Sequence, residues 1–233
     1  MAKKKLDDMK VKKKRWMQII SPAFNDQKIG ETHVLDPQNA LGKHIKVNLM
    51  SLVGDPRKQN IDVLFVTDKM KGETGVLAQV IGYQIQGPAL RKLVRRGKTK
   101  IQDSFYCKTG DGKTVVVKLF TITRYRVNKA VASKIRLGLK QLVVNKVSSS
   151  SFDSLVQEIV QSKFQRELKN IANQVYPIRL VELNTVKVIQ KTKIKVENQI
   201  PAEQLILQPK KKEDKSVQEK KPKKKEEESA ETD

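Results

Sequence analysis

Residues 99–123 read TKIQDSFYCKTGDGKTVVVKLFTIT, and this stretch decides the fold. Through Thr99–Lys108 the side chains alternate. Ile101, Phe105 and Cys107 point to one face, and Lys100, Gln102, Ser104 and Lys108 to the other. A period of two is the mark of a half-buried strand. Thr114–Thr123 is rich in β-branched and aromatic residues and forms a second strand. Between them stands Gly110-Asp111-Gly112, residue types that accept the positive φ a tight hairpin needs.

Upstream, Ile29–Leu35 and His44–Leu52 are short apolar-polar segments. Ile61–Thr67 (IDVLFVT) is nearly continuous, as in a strand covered on both faces. Val76–Gln86 places Leu77, Ile81, Tyr83 and Ile85 on one face. Downstream, the period changes. From Asn128, an N-cap candidate, Val131, Ile135, Leu139, Leu142 and Val143 recur at helical spacing. Ser148–Ser151 is a break, and Ser150 with Asp153 has the spacing of a capping box. Phe152, Leu155, Val156, Ile159, Val160, Leu168, Ile171 and Val175 then make one stripe of a second helix. Tyr176-Pro177 ends it, since the residue before proline disfavours helical dihedrals. Ile178–Gln190 is a last strand.

The expected class is α+β: an antiparallel β-barrel of about six strands, closed or nearly so, followed by two amphipathic helices and a further strand. The expected organisation is a basic N-terminal arm over 1–20, a barrel domain over 21–127 and helices plus closing strand over 128–190. A linker or short irregular segment over 191–209 and a disordered charged tail over 210–233 follow. The tail (KKKEDKSVQEKKPKKKEEESAETD) lacks the apolar surface to offset its chain entropy. The arm is expected to order only against a polyanion.

Charge points to the partner. Lys and Arg number 48 against 25 Asp and Glu, a net +23 over 233 residues. Residues 1–20 carry net +6, 210–233 net +1, and 21–209 net +16. Most of the excess therefore lies on the folded part, and nucleic acid is the usual polyanion that balances it. No run of apolar residues is long enough for a membrane helix, and Met1–Arg15 is followed by no apolar h-region of a secretory signal. A cytoplasmic protein is expected. The single Cys107 fits a reducing compartment.

Catalytic chemistry finds no support. Gly112-Lys113-Thr114 and Gly97-Lys98-Thr99 resemble the end of a phosphate-binding loop. The required upstream glycine is Cys107 in the first and Lys92 in the second. Two histidines, His33 and His44, with one cysteine cannot build a four-ligand zinc site from nitrogen and sulfur donors. Acidic pairs such as Asp7-Asp8 and Glu213-Asp214 lie in flexible segments, where no catalytic geometry is held. No enzyme, no cofactor, no metal and no small-molecule substrate are expected.

Phosphate-binding chemistry is abundant. Arg91, Lys92, Arg95, Arg96, Lys98 and Lys100 crowd into RKLVRRGKTK without an acid. The stretch from Gly112 to Phe152 also has no acid. Of its basic residues, Arg124, Arg126, Lys129, Lys134, Arg136 and Lys140 are candidate RNA contacts. Arginine suits the task because its planar fork can meet two phosphate oxygens. At the N-terminus, Lys12, Lys13, Lys14 and Arg15 precede Trp16, which either stacks on a base or anchors the arm to the domain. Aromatic residues are only 5%, which favours recognition of RNA backbone and shape over base reading.

The pieces Lys13-Lys14-Arg15-Trp16, Pro22-Ala23-Phe24 and Ile29-Gly30-Glu31-Thr32 occur in this order. After them come Leu93–Ile101 (LVRRGKTKI), Lys108–Gly112 (KTGDG) and Tyr176–Leu183 (YPIRLVEL), leading to Lys187-Val188-Ile189. Over most of residues 13–190 the chain resembles the archaeal and eukaryotic small-ribosomal-subunit protein family S-one-e, also called S-three-a-e. Its length suits an archaeal member. The resemblance implies a β-barrel with appended helices. It implies a structural, ribosome-bound role on the small-subunit platform near the messenger exit, with small-subunit rRNA and neighbouring ribosomal proteins as partners. No membrane and no homo-oligomer are expected. The alternative is a free-standing RNA-binding module or ribosome-assembly chaperone that uses the barrel as a single-strand platform. That alternative needs exposed aromatic rings on one barrel face.

Overall fold

A computed structural model of the chain describes residues 13–72 and 75–189. Most of the arm, including Lys12, and the segments expected over 191–209 and 210–233 lie outside the described residues. The strands are β1 (Arg15–Ser21), β2 (Gln27–Val34), β3 (His44–Asn48), β4 (Ile61–Lys71), β5 (Gly75–Ile85), β6 (Lys100–Lys108), β7 (Thr114–Thr123) and β8 (Ile178–Val188). The helices are α1 (Leu49–Val53), α2 (Gly87–Leu93), α3 (Lys129–Ser149), α4 (Phe152–Val160) and α5 (Lys163–Ala172).

The 99–123 hairpin forms as its pattern dictates. Lys100 pairs with Ile122 and Lys108 with Thr114, and Ile101, Phe105 and Cys107 are buried. Gly112 takes φ +74° in the turn, a region open to glycine.

The closed barrel is not found. All eight strands belong to one open sheet. An antiparallel path runs β6-β7-β8-β5-β4-β3. β5 holds β4 along one side. On its other side it holds β1, in parallel, at its start and β8 at its end. β2 pairs with β1 alone. Among the described residues no pairing joins the edge strands β3 and β6, so the sheet stays open. All of β1 but Ser21 lies within the stretch expected as the basic arm. Its sequence RWMQIIS buries Met17, Ile19 and Ser21 and exposes Arg15, Trp16 and Gln18, a strand alternation masked by the flanking lysines.

Bulges correct the expected faces. Leu64 pairs with Gly82 and Phe65 with Val80, leaving Ile81 as an extra residue. One extra residue inverts the alternation. Val76, Ala78 and Val80 therefore face the core before the bulge, and Tyr83 and Ile85 after it, while Leu77 and Ile81 are only half-buried. At Gly82 the backbone of β8 runs close: an added Cβ would lie 3.0 Å from the Val186 carbonyl oxygen.

The helical region also differs. The segment expected as a strand over His44–Leu52 becomes helical at Leu49, because the Asn48 side chain accepts the Met50 N–H. Asn128 does precede α3, but its side chain makes no capping bond. The cap of α4 is Ser151, whose Oγ accepts from the Ser154 N–H, rather than Ser150. The single second helix is two, broken at Gln161-Ser162, where Ser162 sits at φ +58°. Phe152, Leu155 and Ile159 on one side of the break and Phe164, Leu168 and Ala172 on the other belong to one core, together with Phe65, Phe105, Phe120 and Leu183 of the sheet. Each such side chain, fully buried, contributes roughly 1.5–3 kcal/mol.

Candidate nucleic-acid interface

Three segments meet at one end of the β6-β7-β8 ribbon. They are the loop between α2 and β6, the loop after β7 and the start of β8. Hydrogen bonds of two buried or half-buried threonines fix the two loops. The Thr123 hydroxyl donates to the Tyr125 carbonyl and accepts from the Thr99 N–H at 3.0 Å. Thr99 in turn accepts the Val127 N–H at 3.0 Å. The Arg124 N–H donates to the Pro177 carbonyl at 3.0 Å, which ties the second loop to β8.

At this end of the ribbon Arg95, Arg124 and Arg179 all lie near Lys98. The Lys98 ammonium is pushed below its ordinary pKa, by partial desolvation first and then by the guanidiniums of Arg179, Arg95 and Arg124. Arg179 is brought there by a bulge. Ile122 pairs with Leu180 and Thr123 with Ile178, so Arg179 is the extra residue on β8. Its Nη1 is buried and makes no hydrogen bond among the described residues. An unmatched buried guanidinium nitrogen next to like charges is costly. An anion placed beside the cluster would supply the opposite charge. Tyr125, 62% exposed, projects between Arg124 and Arg126 in the same loop.

Arg95, Lys98 and Arg124 are thus brought together, and Arg179 joins them although the sequence reading did not single it out. Arg96, Lys100 and Arg126 are exposed alongside in the same segments. Arg91 and Lys92 are exposed in the last turn of α2. Lys129, Lys134 and Arg136 are exposed on α3. Lys140 is half-buried, its ammonium 5.9 Å from the Phe105 ring centroid, and so packs on the sheet. The acid-free run of α3 is not wholly unpaired, because Lys146 reaches Glu158 of α4 at 3.7 Å and Glu167 of α5 at 3.2 Å. Lys13, Lys14, Arg15 and Trp16 lie exposed on or beside β1. Trp16 is 64% exposed and so does not anchor in the core.

A cleft of ≈ 770 Å³ opens elsewhere, lined by Phe24, Val53, Val80, Val156, Lys113 and Asp153 among others. It presents no serine, cysteine or histidine and only one carboxylate, a poor basis for catalysis. Among the described residues no group of three or more His, Cys, Asp or Glu could hold a metal ion. No helix among them is long and apolar enough to cross a membrane.

Residues 1–192 match the model of the Ribosomal S3Ae family. The chain is 31% identical over 181 residues to the small ribosomal subunit protein eS1 of Desulfurococcus amylolyticus, an alignment covering 77% of this chain and 84% of that one. It is 30% identical to the protein of the same name from Saccharolobus solfataricus, over 78% of this chain and 87% of that one. A third, from Methanobrevibacter smithii, is 30% identical over 76% and 92% of the two chains.

Proposed function

The chain belongs to the Ribosomal S3Ae family, and from that premise we propose that it holds folded small-subunit rRNA by neutralising its phosphates, on the platform near the messenger exit. Its role is that of a structural ribosomal protein and not of an enzyme, with rRNA and other ribosomal proteins as its partners. The platform position rests on the resemblance to the family. The phosphate mechanism rests on one observation: Arg95, Lys98, Arg124 and Arg179 stand together with no carboxylate partner among the described residues. Loops pinned by Thr99 and Thr123 keep the backbone around Lys98 and Arg124 in place before RNA arrives, so the ordering cost left is that of the side chains. Binding then releases condensed counterions, and the fixed guanidiniums set the register of the backbone.

The single-strand platform is the weaker reading. Phe65, Phe105, Phe120 and Tyr83 are all in the core. Of the Phe, Tyr and Trp rings, only Trp16 and Tyr125 are exposed, and they lie on different segments.

The test is the triple variant Arg95→Ala/Lys98→Ala/Arg124→Ala. Its affinity for a small-subunit rRNA fragment at fixed salt should fall at least tenfold. Its melting temperature should hold or rise, since mutual repulsion is removed. Unchanged RNA affinity would place the cluster against solvent and remove the phosphate mechanism.

A further inference from the structure

We propose that Trp16 and His33 form a stacking site for one unpaired nucleobase of RNA, distinct from the arginine cluster; the proposal rests on the RNA-binding reading above. Trp16 of β1 lies directly opposite His33 of β2 in the antiparallel register. Their rings stack with centroids 4.6 Å apart and planes 19° from parallel. His33 thus covers one face of the indole and limits its orientation. The other face is open, since Trp16 remains 64% exposed. An indole left that far in water, yet limited in orientation, bears a hydration cost that a flat apolar partner would relieve.

The surroundings select the partner. Lys13, Lys14 and Arg15 immediately precede Trp16 and are all exposed; Arg15 points to the opposite face of β1 by strand alternation, which leaves Lys13 and Lys14 as the cations for a nucleotide stacked on the ring. Among the described residues none of the three forms an ion pair. On the paired strand, the carboxylate of Glu31 is already held by Lys28. A protein ligand would need several acids as well as an apolar group to match this patch. A nucleotide offers both parts in one unit: a π-face for the indole and a phosphate for the adjacent cations. Every base has such a face, so the site is indifferent to sequence. It requires only that the base be unpaired, because a base stacked within a duplex shows no free face. The cluster at Arg179 contacts backbone and has no such requirement. The two sites together would grip a helix and an adjoining single-stranded loop or end.

Trp16 is the only tryptophan of the chain, so its fluorescence reports this site alone. The full chain is titrated with a short single-stranded oligoribonucleotide carrying a dye outside the tryptophan band. Binding is followed by dye anisotropy and the site by Trp16 emission. Emission should be quenched in proportion to the anisotropy rise. A hairpin-free RNA duplex of equal charge should bind without quenching. Trp16→Ala should weaken the oligonucleotide roughly 5- to 150-fold while changing duplex affinity less than about twofold. Trp16→Phe, which keeps a stacking ring, should recover most of that loss. Oligonucleotide binding with unchanged emission would overturn the proposal and leave the arginine cluster as the contact. Loss of all RNA binding in the Arg95/Lys98/Arg124 variant, with Trp16 emission inert throughout, would also overturn it and leave the general RNA reading standing.

Discussion

At the scale of single residues, the sheet carries one carboxyl at odds with its place. Glu182 of β8 pairs in register with the buried Phe120, and burial raises its pKa from 4.5 to about 7. The Tyr83 phenol nearby is pushed well above its ordinary value, by burial first and then by the charge of Glu182 once ionised. The folded state thus holds the Glu182 proton more tightly than the unfolded chain does. Its contribution to stability is full below the ordinary carboxylate pKa and is lost as pH rises through about 7. Denaturant unfolding of the free protein should therefore give a lower stability at pH 8 than at pH 5. Glu182→Gln should remove most of that slope and stabilise the protein at pH 8 by about 2 kcal/mol. The same pH slope in both proteins would show that the carboxyl is already solvated. Single residues also mark the limit of what the sequence made legible in the site. Arg95, Lys98 and Arg124 stood out by composition. Arg179 did not, because no other cation stands within six residues of it in the sequence and only a bulge brings it near Lys98. The Trp16–His33 stack was equally hidden, since it needs the register of β1 against β2.

Among elements, the joints decide more than the segments. The hairpin β6–β7 reaches across to the helices: the Asp111 carboxylate accepts the Phe152 N–H at 2.8 Å, and the Gly110 N–H donates to the Ser150 carbonyl at 3.0 Å. A carboxylate at the N-terminus of α4 satisfies a free N–H and faces the positive end of the helix dipole. Asp111→Ala should cost about 1 kcal/mol, read as a lower melting temperature, whereas Asp111→Asn should recover part of it. An unchanged melting temperature in the alanine variant would mean that the contact is replaced by water at no cost. Local signals made the hairpin itself legible, for a turn and two alternating strands need no distant partner. The break at Ser162 was not legible, because the apolar stripe continues on both sides of it. The inverted face before Ile81 was not either, since a bulge is defined by the strand opposite. Sheet closure is the extreme of this limit: seven of the eight strands announce themselves, but which edges meet depends on pairings between segments far apart in the chain.

Across the whole molecule, charge and function are tied together. The chain carries net +23, and residues 21–209 alone carry net +16. Within the described residues, ion pairs hold Lys28, Lys46, Lys58, Lys71 and Lys146. Among the described residues, Arg95, Lys98, Arg124 and Arg179, Lys129, Lys134 and Arg136 of α3, and Lys13, Lys14 and Arg15 form no ion pair, and on the proposed function they are the charges a polyanion would meet. Such a surface repels itself in the free protein and gains when phosphate arrives. If about 6–10 phosphates are contacted, affinity for rRNA should drop about 10³- to 10⁵-fold between 50 and 200 mM salt. Each contact removed should flatten the logarithmic slope by about 0.9 on duplex RNA. Arg95→Ala/Lys98→Ala/Arg124→Ala should therefore show a shallower salt dependence than the parent chain, not merely a weaker affinity. In a lysate gradient, the protein should travel with small subunits at low salt and leave them only at high salt. A parallel shift of affinity with an unchanged slope would mean that the cluster acts through folding rather than through phosphate. A protein that stays at the top of the gradient at low salt would break the link between its charge and the ribosome.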